Sequence, residues 1–110
     1  MMSVVRINAI TVPRERAEEL ERRFAARAGE VSKSPGFEAF ELLRPSDDRD
    51  VYLVYTRWRS AQDFENWMGS AAFQHGHRAH SSQGPVSNQS ELWGFEVIQH
   101  EEGRQEEGAP

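Results

Sequence analysis

From Ser3 to Val12 the chain reads SVVRINAITV, with apolar residues on both alternating sets of positions. Val5, Ile7 and Ala9 fall on one set, and Val4, Ile10 and Val12 on the other. A strand patterned this way is covered on both faces. Two polar residues interrupt it, Arg6 near its start and Asn8 at its centre. Pro13 follows, a residue that a first helical turn accommodates well. Beyond it Ala17, Leu20, Phe24, Ala28 and Val31 recur at steps of three and four, the apolar stripe of an amphipathic helix that runs to Ser34-Pro35-Gly36. Glutamates crowd the N-terminal half of this helix, where its dipole favours them.

The second strand is FEAFELLRP (Phe37 to Pro45), the turn after it is polar, and VYLVYTRW (Val51 to Trp58) is a third strand, again apolar on both faces. Ser60-Ala-Gln-Asp63 has the form of a capping box and opens a second helix, with Phe64, Trp67 and Met68 on one side. Gly69-Ser70 can end that helix and cap a short one over residues 71–80. A polar loop spans residues 81–90, and ELWGFEVIQ (Glu91 to Gln99) is the last strand. The order βαββαβ predicts a ferredoxin-like α+β sandwich. Strands that are apolar on both faces leave the sheet side away from the helices uncovered in a monomer. A homodimer whose two sheets close into an α+β barrel resolves this.

The length of 110 residues fits one domain, placed at residues 1–99. The last eleven residues, HEEGRQEEGAP (100–110), are acidic and carry almost nothing to bury, the composition of a disordered tail. A formal net charge of -5 argues against non-specific nucleic-acid binding. No apolar run approaches a bilayer span and no signal peptide precedes the first strand, so the expectation is a cytoplasmic protein without membrane contact. Zero cysteine excludes disulfides, thiolate chemistry and cysteine-ligated zinc.

What remains for chemistry is Asn8, Trp67 and the histidines of FQHGHRAH, His75, His77 and His80. A primary amide inside a doubly covered strand must find partners, either structural or in a ligand. At helical spacing from Phe64 and beside Met68, Trp67 is most simply core, although a large flat indole could instead form one wall of a ligand cavity. The histidine spacings do not match a helical zinc pair. One histidine is nevertheless sufficient for haem iron, and Arg27 and Arg78 could meet carboxylates. On one continuous helix Trp67 and His77 point about 80° apart, so facing one cavity requires an irregularity, which Gly69-Ser70 and Gly76 can provide. P-loop, dinucleotide-binding and nucleophile-elbow motifs are missing.

VVRINAITVP, SPGFEAFELLRP and FENWMGSAAFQHGHRA, in that order, resemble the IsdG/MhuD family of haem-degrading monooxygenases, part of the antibiotic-biosynthesis-monooxygenase group of dimeric α+β barrels. The resemblance implies that haem is both substrate and cofactor. It further implies that O₂ and an external electron donor open the macrocycle, releasing iron and a linear tetrapyrrole. The family's functional asparagine, tryptophan and histidine fall on Asn8, Trp67 and His77. By resemblance His77 is the iron ligand, Trp67 presses the porphyrin out of plane, and Asn8 donates a hydrogen bond on the oxygen side. MhuD-like spacing would put the ligand one residue earlier, on Gly76, and His75 is the alternative. Phe24 and Arg27 match positions near the haem edge. Three other readings remain open: a cofactor-independent quinol-type monooxygenase, which needs no iron ligand; a haem-binding protein without turnover; and a barrel without a cavity that serves a partner protein.

Overall fold

Residues 2–70 and 89–103 are described in the computed structural model. Strand β1 spans Val4–Thr11, helix α1 Ala17–Ala26, strand β2 Phe37–Leu43, strand β3 Val51–Trp58, helix α2 Ala61–Met68 and strand β4 Gln89–Glu96. The sheet has the order β2-β3-β1-β4 and every pair is antiparallel. This is the ferredoxin-like α+β arrangement that the element order predicts.

Register decides which residues face the helices. Asn8 lies opposite Val54 on one side and Leu92 on the other, and Arg6 lies opposite Thr56 and Gly94. Side chains alternate along a strand, so Val4, Arg6, Asn8 and Ile10 share a face with Tyr52, Val54, Thr56 and Trp58. Helix α1 buries Leu20 against Ile10, Val12 and Tyr52, with Ala17, Phe24, Leu42 and Val54 packed around them. At the other end of the sheet Val4, Trp58 and Phe64 form a second cluster, joined by Val31, Phe37, Ala61, Trp67 and Met68. Trp58 is fully buried there, edge-on to Phe37 and Phe64 at 5.5 and 5.7 Å between ring centroids and tilted against Trp67 at 5.6 Å.

The first helix departs from its pattern. A 3-10 turn, Arg14–Arg16, precedes α1, and α1 ends at Ala26 instead of continuing to Ser34. Gly29 adopts φ +93°, a left-handed conformation open to glycine and costly for other residues, and this turns the chain out of the helix. Val31 then falls in a second 3-10 turn, Val31–Lys33, and reaches the core from there. Strand β4 starts two residues before its expected position and stops at Glu96, although Val97 N–H still donates to the Ser3 carbonyl at 2.9 Å. The start of α2 is as predicted: Ser60 Oγ accepts the Asp63 N–H at 3.1 Å.

Two brackets hold the helices to the sheet. Gly36, at φ +79°, passes so close to Asp63 that a Cβ there would sit 2.2 Å from the Asp63 Cγ. Its carbonyl accepts the Arg59 N–H at 2.7 Å, which ties the entry to β2 onto the entry to α2. On α1, the Glu21 carboxylate accepts two N–H groups of Arg44 at 2.8 and 2.6 Å and the hydroxyl of Tyr52. Arg44 and then Tyr52 hold the pKa of that carboxyl at about 2.

The sheet face away from the helices carries Val5, Ile7 and Ala9 on β1, Leu53 and Tyr55 on β3, and Trp93 and Phe95 on β4. Trp93 and Phe95 are exposed. Among the described residues no helix is long and apolar enough to cross a membrane. The short helix expected over residues 71–80, most of the loop after it and residues 104–110 of the acidic tail lie outside the described residues.

Candidate functional site

The helix-facing side of the sheet is apolar at both ends and polar between them. Along β1 it reads Val4, Arg6, Asn8, Ile10, and along β3 it reads Trp58, Thr56, Val54, Tyr52. The two core clusters take the ends. Between them lies a cavity of about 360 Å³, within the size range that holds small-molecule ligands. Its floor is Val54 and Thr56 of β3, with Phe37 and Phe40 of β2 alongside. Phe24 of α1 and Trp67 of α2 form facing parts of the wall, and Arg27 through Ser32 form the rim. The walls are thus mainly aromatic and aliphatic.

Of the residues predicted from sequence, Phe24, Arg27 and Trp67 line this cavity. Trp67 is also core, in contact with Trp58 and Phe64, so both readings of that residue hold at once. Arg27 caps the C-terminal end of α1, and its Nε donates to Glu30 Oε2 at 3.3 Å. Asn8 shares the sheet face but does not line the cavity walled by the described residues. It stands one strand away, opposite Val54. Its side chain is half-buried and has no hydrogen-bond partner among the described residues. His75, His77, His80 and Arg78 lie outside the described residues.

Sequence reasoning missed Phe40, Phe37, Val54 and Thr56 as site residues. Phe40 stacks obliquely on Phe24 with centroids 6.3 Å apart. Its parity on β2 could have found it, because Phe40 pairs with Thr56 and Leu42 with Val54, all on the helix face. The rim at residues 28–32 was missed because the pattern continued the helix through it.

The polar band has its own electrostatics. Arg6 reaches over Gly94, where a Cβ would meet its Nη1 at 3.0 Å, and lies 5.4 Å from the centroid of the Phe64 ring. Thr56 Oγ1 donates to the Arg6 carbonyl at 3.0 Å. The Trp58 Nε1 is buried without a partner among the described residues. An orphan donor of that kind costs about 1–3 kcal/mol, so the indole is retained against a penalty that its aromatic contacts offset.

The family model for antibiotic biosynthesis monooxygenases matches residues 3–79. A Mycobacterium tuberculosis protein named heme oxygenase (mycobilin-producing) is 48% identical over 88% of this chain and 90% of its own length. The structure of the heme-degrader MhuD from the same organism, with two hemes bound in its active site, superposes with a TM-score of 0.76 at 42% identity. That match covers 90% of this chain and 99% of the other. A mutant of SnoaB, a cofactor-independent oxygenase from Streptomyces nogalater, superposes with a TM-score of 0.72 at 28% identity, covering 89% of this chain and 95% of the other.

Proposed function

Because the chain belongs to the antibiotic biosynthesis monooxygenase family, in its haem-degrading IsdG/MhuD-type branch, we propose that it binds haem in the cavity between α1, α2 and the sheet and degrades it. The observation that carries this reading is an aromatic cavity with one arginine on its rim, in a chain 48% identical to a heme oxygenase. Phe24, Phe37, Phe40, Val54 and Trp67 suit the flat apolar body of a porphyrin, and Arg27 suits its carboxylates. Asn8 adds a polar group whose amide has no partner among the described residues.

When bound, haem supplies the iron at which O₂ is activated with electrons from an external donor, and the products are free iron and a linear tetrapyrrole. The chain's own residues bind and orient. His77 supplies the imidazole that holds the iron, with His75 as the alternative. Trp67, in contact with Trp58 and Phe64, would offer the bound macrocycle a rigid flat wall and shape how it sits. The Asn8 amide would offer a hydrogen-bond donor to a group held in the site. Two subunits close their exposed sheet faces into one barrel, with Trp93 and Phe95 in the interface. The protein works in the cytoplasm.

A second reading has an observation in its favour, the superposition on a cofactor-independent oxygenase. In that reading the same cavity takes a reduced aromatic substrate that reacts with O₂ directly, and the histidines have no metal to bind.

An optical titration with haemin decides between them, followed by ascorbate in air with catalase present. A saturable Soret band that bleaches on reduction supports haem degradation, and its loss in either His77→Ala or His75→Ala identifies the ligand. A saturable band that survives reductant marks a haem carrier. No saturable band sinks the haem reading and promotes the second one.

A further inference from the structure

The residues that wall the cavity include two charged groups, Arg27 and Glu30, and they are paired with each other. The Arg27 Nε reaches Glu30 Oε2 at 3.3 Å, longer than the 2.7–2.9 Å typical of a charge-assisted hydrogen bond. The contact engages one of the five N–H donors of the guanidinium. Both side chains are part-exposed, Arg27 at 36% and Glu30 at 46%, so water screens the pair and it is weakly held. The backbone around it is braced. The Glu30 N–H donates to the Arg27 carbonyl at 3.3 Å, and Ser32 Oγ donates to the Gly29 carbonyl at 2.8 Å. Gly29, at φ +93° with open space around it, turns the chain so that residue 30 faces residue 27 across the rim.

We infer that Glu30 is an internal competitor for Arg27, occupying the guanidinium in the empty cavity and giving way to a carboxylate of the bound ligand. The inference rests on the haem reading and adds a specificity determinant to it. A planar carboxylate entering the cavity can take Arg27 in the two-pronged geometry that Glu30 does not achieve. To do so it must displace Glu30 and tolerate its negative charge nearby. Affinity for a carboxylated porphyrin is therefore held below what the arginine alone would give. A ligand without carboxylates leaves the pair intact and does not experience this competition. Opening the macrocycle leaves its carboxylates untouched, so the same exchange assists departure of the product.

The test compares haemin with its dimethyl ester, in which both carboxylates are masked, by equilibrium titration of the full-length native protein, Glu30→Gln, Arg27→Met and the double variant. Glu30→Gln keeps the size of the side chain and lies at an exposed position, so folding is preserved. Glu30→Ala serves as a second probe of the same charge. Glu30→Gln is expected to bind haemin about three- to tenfold more tightly, and less so as salt rises. Affinity for the ester should stay within about twofold, and the haemin gain should shrink markedly in the Arg27→Met background, where only relief of charge repulsion is left, the mark of a coupled pair. Unchanged or weaker haemin binding by Glu30→Gln, or an equal gain for the ester, overturns the inference while leaving the haem reading intact. Failure of the native protein to bind haemin removes the haem reading, and this inference with it.

Discussion

Replacing Glu21 by Gln tests whether charge, and not merely shape, fastens α1 to the sheet. The native carboxylate takes two N–H groups from Arg44 and the hydroxyl of Tyr52. These partners bring its pKa from an ordinary 4.5 to about 2. A change of that size corresponds to at most about 3.4 kcal/mol at neutral pH. The Glu21 side chain is 29% exposed and that of Arg44 is 70% exposed, so water screens the pair and leaves about 1–1.5 kcal/mol. For a chain of this length that loss lowers Tm by about 4–7 °C. The sign follows from linkage. A carboxyl whose pKa is depressed by folding stabilises above its unfolded value near 4.5, and that contribution fades as pH falls towards 2. Thermal unfolding of native protein and Glu21→Gln at pH 7 and pH 3 should therefore give a gap in Tm that shrinks to less than half at the lower pH. A gap of equal size at both pH values would refute the electrostatic account and assign the loss to packing.

Gly36→Ala should destabilise the fold by about 2–4 kcal/mol, since it forces a left-handed backbone on alanine and drives its Cβ into Asp63; a lower urea midpoint at unchanged m-value is the readout. Asn8→Val should raise Tm by a few degrees while abolishing haem turnover, because an amide with no partner among the described residues is exchanged for a β-branched residue at the centre of a strand. A fall in Tm would place the amide in the structure instead of in the chemistry. Phe95→Glu puts a charge on the open sheet face and should yield a monomer by light scattering where the native protein is expected to give a dimer; a monomeric native protein would dismiss the barrel.

Much of the fold was legible because period and punctuation agreed. Val51–Trp58 and the Ser60 cap fell where alternation and the capping motif put them. The long first helix misled because Ala28 and Val31 continue its stripe, while Gly29 lies between them and takes a positive φ that periodicity cannot register. That error concealed the rim of the site. Trp67 was legible as a site residue through resemblance, whereas helical spacing marked it only as core. Phe40 and Val54 looked like ordinary strand residues, and only register against Thr56 and Asn8 shows what they face.

The deeper connection between sequence and site is the placement of polar residues on a buried face. If positions 6, 8 and 56 were aliphatic, the two apolar clusters would merge into one continuous core beneath the helices, as close packing favours. Arginine, asparagine and threonine at those positions break the core in two. Each needs a polar partner that aliphatic packing cannot offer. Thr56 finds one in the Arg6 carbonyl, and Arg6 finds the Phe64 ring and the Val5 carbonyl. Asn8 has none among the described residues, and it stands beside the one of these interruptions that borders open volume. Of these three positions Thr56 lines the cavity, whose other walls are mainly aromatic and aliphatic, so the polar band opens onto the cavity at that one point. The interrupted core forgoes packing that a continuous one would have, and the cavity lies where the two clusters part.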